Sequence, residues 1–98
     1  MFRHIVLWKL KENAQGKNKK ENSILMKSKL EGLKKRISQI KYISVGIPVN
    51  ESKWDICLIV DFEDKKALEE YLTHKEHQKV SDFISKIREK RVAFDYEN

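Results

Sequence analysis

Hydrophobic and polar positions recur along this chain with two different periods, and the switches between them mark its elements. Residues 2–10, FRHIVLWKL, put Phe2, His4, Val6, Trp8 and Leu10 on one side of an extended strand. Ile5 and Leu7 lie on the other side, between Arg3 and Lys9, so both faces are partly apolar. The polar run KENAQGKNKKEN, with one glycine, predicts a loop leading into a helix. From about Glu21 to Ile40, the residues Met26, Leu30, Leu33, Ile37 and Ile40 recur at steps of four, three, four and three, which predicts one continuous helical stripe. Tyr42 to Val49 is β-branched and apolar, a second strand with Gly46 as a bulge and Pro48 suited to an edge or strand end. NESK supplies a turn, and WDICLIVDF, residues 54–62, sets Trp54, Ile56, Leu58, Val60 and Phe62 against Asp55, Cys57, Ile59 and Asp61. Asp64 is a good N-cap for a helix carrying Ala67, Leu68, Tyr71 and Leu72. After a break near His74, a further helix carries Val80, Phe83, Ile84 and Ile87, and RVAFDY, residues 91–96, gives a last strand.

The order βαββααβ predicts a single α+β domain, residues 1–98, of ferredoxin-like topology, with helices on one face of a four-stranded antiparallel sheet. The uncovered face should carry Ile5, Leu7, Cys57 and Ile59. Left in water these form an apolar patch, and a second copy of the sheet would cover it through a two-fold contact. A homodimer with facing sheets is the expectation, and the small size of a 98-residue core points the same way.

Composition narrows the class. Apolar content of 40% with three Gly and one Pro suits a folded domain rather than a disordered one. Cys57 is the only cysteine and has no internal partner for a disulfide, so a buried thiol in a reducing, cytoplasmic compartment is expected. The apolar stretch Ile5 to Trp8 is too short for a signal-peptide core or a membrane span. Net charge is +6, divided unevenly: up to Lys41 there are 12 Lys/Arg against three acids, and beyond it nine against 12. Those lysines mostly occupy the polar side of a helix and a loop, as on an ordinary solvated surface. RNA-recognition domains share this topology but stack bases on aromatics of the central strands. Ile5, Leu7, Cys57 and Ile59 offer neither rings nor cations, so no nucleic-acid partner is expected.

The polar rings carry the candidate chemistry. His77 lies three residues before Val80, seven before Ile84 and ten before Ile87, which turns its ring to the buried stripe. Tyr71, three after Leu68, faces the same way from the preceding helix, and His74 sits at the break between them. His4 shares the helix-facing register with Val6 and Trp8 on the first strand, and Leu58 shares it on the third. A partly buried imidazole stays neutral and can accept a proton, while a phenol can stabilise an enolate or oxyanion. Together they suit abstraction of an acidic C–H proton beside a carbonyl. His74 and His77 alone, without a third ligand, make a weak metal site, so no metal is expected; no glycine-rich phosphate loop or nucleophile elbow is present.

RHIVLWKLKE at the start, VG in the second strand, WDICLIVDFEDKKALEEYLTHKEHQKV in the middle and FDY at the end together resemble the stress-responsive α/β-barrel (Dabb) family, over Arg3 to Tyr96. The resemblance implies a dimeric α+β barrel. Some plant members are polyketide cyclases that catalyse an intramolecular aldol condensation without a cofactor, through the tyrosine and second histidine of this motif. By that resemblance Tyr71 is an oxyanion donor and His77 a general base, with His4 and His74 as supporting pocket residues. The family commonly has proline after the first histidine, where this chain has Lys75; that implies a looser helix break and a cation near the pocket mouth. Three classes follow: a cofactor-independent lyase or cyclase on a small oxo or polyketide-like compound, a non-catalytic stress-associated dimer that binds a small hydrophobic ligand or a partner, and a cofactor-free monooxygenase of the related dimeric barrels.

Overall fold

In a computed structural model describing all residues from Met1 to Asn98, β1 (Phe2–Leu10) runs through the middle of a four-stranded antiparallel sheet. Its neighbours are β5 (Ile56–Phe62) on one side and β6 (Arg88–Glu97) on the other, with β4 (Tyr42–Gly46) beyond β5. The order β4-β5-β1-β6 is that of the ferredoxin-like fold expected from the sequence. Perfect alternation in β1 and β5 sets one face into the core: Phe2, His4, Val6, Trp8 and Leu10 with Ile56, Leu58, Val60 and Phe62 are all buried. Three helices cover this face: α1 (Lys19–Glu31), α2 (Lys65–Thr73) and α3 (Lys75–Ile87). α1 packs against β4 and α3, and α2 against β1 and β5. None of the helices is long and apolar enough to cross a membrane.

The polar run after β1 is a small hairpin rather than a loop, made of β2 (Asn13–Ala14) and β3 (Lys17–Asn18). Gln15 and Gly16 both have positive φ, 53° and 74°, the pairing a two-residue type I′ turn requires. The hairpin flows directly into α1 through a reciprocal cap. Asn18 Oδ1 accepts from the Glu21 N–H, and Glu21 Oε1 accepts from the Asn18 N–H. Buried Asn22 donates to the Ala14 and Lys17 carbonyls and so ties the hairpin to the helix.

The single helix expected to reach Ile40 ends at Glu31, followed by a 3₁₀ turn over Gly32–Lys35. Leu33, Ile37 and Ile40 are nonetheless buried. The Leu33 carbonyl accepts from both the Arg36 and Ile37 N–H groups, a tight coil that brings apolar residues inward at nearly helical spacing without a helix. β5 starts at Ile56 rather than Trp54, because the Asp55 N–H goes to the Trp8 carbonyl and its carboxylate accepts from the Leu10 N–H. β4 ends at Gly46, short of Pro48.

The outer face of the sheet carries half-buried Ile5, Leu7, Cys57 and Ile59. β6 extends it, since Phe94 stands opposite Ile5 and Val92 opposite Leu7. Phe94 is 66% exposed and Val92 44%. At one margin of this face Arg3 grips Asp61 with two hydrogen bonds, 2.7 and 2.8 Å, and holds the Asp61 carboxyl below its usual range.

Candidate active site

α2 begins where Asp64 Oδ1 accepts from the Ala67 N–H at 2.9 Å, and that start fixes which residues reach inward. Leu68 and Tyr71, three apart, are buried against the sheet. The helix stops at Thr73 because His74 is extended, with φ −66° and ψ 135°. His74 then serves both neighbours. Its N–H donates to the Tyr71 carbonyl, closing α2, and its Nδ1 accepts from the Glu76 N–H at 3.0 Å, opening α3.

This corrects two sequence expectations. The His74 ring is committed to capping and does not line the pocket beside Tyr71. The break is a well-formed single-residue junction rather than a loose one: Lys75 takes the first helical position, where proline is also accommodated because its N–H has no intrahelical partner. Lys75 is not at the pocket either.

In the first turn of α3, half-buried His77 turns its ring toward the core, and its centroid lies 4.5 Å from that of Tyr71. Tyr71 is fully buried, with Phe62 at 5.0 Å on one side and His4 at 6.4 Å, edge-on, on another. Buried His4 is oriented from β6, its Nδ1 lying 2.6 Å from Asp95 Oδ1. A carboxylate there accepts the Nδ1–H and fixes the orientation of the ring.

These side chains border a pocket of about 270 Å³ between sheet and helices. Six of the expected residues line it: His77 and Tyr71, with His4, Val6, Trp8 and Leu58. Val80 and Ile84 of α3 extend the apolar wall. The sequence reading missed the polar lining, Ser81 and Ser85 of α3 with Arg88 and Arg91. The serines were within reach, because they follow His77 by four and eight residues and so share its helix face. Arg91 and Asp95 depend on the pairing of β6 with β1, which no local pattern reveals.

Burial sets the protonation states. It pushes the Tyr71 phenol well above its ordinary range, only partly offset by the positive charge of Arg91. It pushes the His77 imidazole below its ordinary value; the Leu72 carbonyl opposes this, while His4, Arg91 and His74 reinforce it. At neutral pH the site therefore pairs a phenol that keeps its proton with an imidazole that lacks its second one. Tyr71 can donate but not act as a base; His77 can accept.

Three of the four buried side-chain polar atoms left without a partner belong to lining residues: Trp8 Nε1, Tyr71 Oη and His77 Nδ1. Interiors seldom leave such groups without a protein or solvent partner, so their gathering on one pocket's residues is a feature of the site. No group of three His, Cys, Asp or Glu side chains is arranged to hold a metal ion.

Residues 2–98 match the family model described as the stress responsive A/B barrel domain. None of the curated proteins matches the sequence. Among solved structures, a dimeric protein of unknown function and ferredoxin-like fold from Bacteroides fragilis is 32% identical, with a TM-score of 0.89 over 99% of this chain and 95% of that one. A hydroxynitrile lyase from Passiflora edulis shares the fold at 15% identity and TM-score 0.77, covering 97% of this chain and 90% of that one. A putative antibiotic biosynthesis monooxygenase from Nitrosomonas europaea does so at 13% identity and TM-score 0.80, covering 100% and 98%.

Proposed function

The chain belongs to the stress responsive A/B barrel domain (Dabb) family, and from that premise we propose that it is a cofactor-independent lyase or cyclase acting on a small oxo compound. The observation that carries this reading is the clustering of unpaired buried polar atoms, the Tyr71 hydroxyl and His77 Nδ1 foremost, on residues around one pocket. A ligand carbonyl seated there brings an acceptor to the Tyr71 hydroxyl, and the acidic C–H beside that carbonyl brings a proton to the His77 imidazole. His77 takes a proton from the carbon beside that carbonyl, the electron pair moves onto the oxygen as an enolate, and the Tyr71 O–H donates a hydrogen bond to it. The enolate carbon then attacks a second carbonyl in the same molecule, and the His77 imidazolium returns the proton to the new alkoxide. Run backwards, the same steps cleave a carbon–carbon bond. His4, held by Asp95, orients the substrate from the sheet side. The volume suits a molecule below drug size.

The working unit in this proposal is a homodimer. Ile5, Leu7, Cys57 and Ile59 with Phe94 and Val92 form an apolar face that a second sheet would cover, and the 32% identical Bacteroides fragilis relative is dimeric. The lone half-buried Cys57, whose thiol burial keeps protonated, fits a reducing cytoplasm.

The test is a panel of small diketones and oxo acids incubated with the protein in air and under nitrogen. Equal consumption in both supports the lyase or cyclase reading. Consumption only in air transfers the site to oxygenation, and thermal stabilisation by a compound that is never consumed leaves a ligand-binding dimer.

A further inference from the structure

We infer that the molecule this pocket takes carries a carboxylate, received by Arg91 and steered in by Arg88. The inference deepens the reading above, because it assumes that the pocket is a ligand site. It begins with a register shift. Along β6, Arg91 stands opposite Trp8 and Lys90 opposite Lys9, but Leu10 then pairs with Arg88, so Glu89 is an extra residue. In a regular strand, residues three apart point to opposite faces. The bulge at Glu89 removes one position from the count and brings Arg88 to the side of Leu10 that Arg91 shares with Trp8, the helix-facing side. Two guanidinium groups are thus turned toward one pocket by a single backbone irregularity.

Neither arginine has an answering charge. Asp61, Glu12, Asp55, Glu31 and Glu76 are paired with other cations, and Asp95, on the same face of β6, is held by His4. Arg88 and Arg91 themselves form no ion pair and no side-chain hydrogen bond, and no Asp or Glu lines the pocket. Apart from the two imidazoles, His4 and His77, the remaining polar lining consists of hydrogen-bond donors or hydroxyls: Trp8 Nε1–H, which is buried and bonds to no protein atom, Tyr71, Ser81 and Ser85. Such a set answers an anion and leaves an ammonium or a neutral amide poorly matched.

The two arginines differ in depth. α3 rises about 16 Å from His77 to Arg88, so Arg88 stands at the far end of the helix face that carries Ser81 and Ser85. Arg91 is nearer the reacting pair, and its charge is felt by both Tyr71 and His77. A carboxylate on Arg91 therefore leaves the rest of a short oxo acid, with its carbonyl and apolar end, between Tyr71, His77 and the Val6–Leu58 wall.

The experiment is calorimetric titration of the full-length protein with acid and amide pairs of matched shape: phenylglyoxylate with phenylglyoxylamide, and acetoacetate with acetoacetamide. The acid of at least one pair is expected to bind about tenfold more tightly than its amide, with the preference shrinking as salt is added. Arg91→Gln should reduce that preference to less than about threefold while leaving amide affinity unchanged, Arg91→Lys should restore part of it, and Arg88→Gln should have a smaller effect. Both arginines are exposed, so these variants keep the fold. Equal binding of acid and amide, failure of every acid to bind, or an acid preference indifferent to Arg91→Gln overturns the inference. Acid preference without turnover would retain it and remove the catalytic reading; turnover of neutral oxo compounds without acid preference would do the reverse.

Discussion

The phenol ring of Tyr71 stands 4.5 Å from the imidazole of His77, centroid to centroid, with the planes tilted by 54°. Tyr71 comes from the last turns of one helix and His77 from the first turn of the next, so the single extended residue between them, His74, sets their approach. Burial then drives the two rings toward complementary states, a phenol that keeps its proton and an imidazole ready to take one.

Tyr71→Phe separates stability from activity. Its hydroxyl is buried and bonds to no other protein group, so its removal costs the chain no internal hydrogen bond. Thermal melting of the variant is expected to match or exceed that of the parent, while turnover of an identified substrate falls by about 10²-fold or more. A large drop in melting temperature would mean that the hydroxyl holds the core together.

Acidification should weaken the protein through His77. Its folded-state pKa is depressed, so between that value and about 6.5 the unfolded chain binds the extra proton and the folded one does not. The resulting stability is fully present above about 6.5 and is lost as pH falls through that window to the folded-state value. Urea melts at several pH values, with His77→Gln flattening this segment of the profile, provide the measurement. The same protonation removes the base, so kcat/KM should fall with falling pH over the same range.

The contact between His4 and Asp95 fastens the last strand to the centre of the sheet. Asp95→Ala leaves a buried imidazole N–H unpaired; because Asp95 is partly exposed, the expected cost lies toward the lower end, about 1–2 kcal/mol. A double-mutant cycle with His4→Phe should assign most of that loss to the pair.

Leu7→Glu puts a charge in the middle of the outer apolar face. Sedimentation should give twice the 11.7 kDa chain mass for the wild type and the chain mass for the variant. Alkylation of Cys57 should be faster in the variant, because the second sheet no longer shields it. A wild-type monomer would contradict the dimer.

The sequence carried the sheet well because β1 and β5 alternate without interruption, and a period of two assigns each residue to a face before any pairing is known. His77 and Tyr71 were legible for the analogous helical reason. His74 differs because spacing cannot distinguish a ring that faces a cavity from one that caps a helix end; both occur at the break, and the hydrogen bond that its Nδ1 accepts from the Glu76 N–H decides. Ile37 and Ile40 imitated a helix because a 3₁₀ turn followed by a tight coil buries residues at similar intervals. Asp95, Arg88 and Arg91 were illegible because their positions follow from a bulge and an inter-strand register.

Proton exchange into solvent tests the central claim most directly, since it asks only whether His77 removes a proton from carbon beside a carbonyl. Small oxo acids are incubated with the protein in D₂O, and loss of the α-proton signals is followed by NMR. The wild type is expected to exchange them well above the buffer rate, Tyr71→Phe to do so more slowly, and His77→Gln to fall to the buffer rate while remaining folded. Exchange by His77→Gln as fast as by the wild type would contradict the assignment of this imidazole as the base.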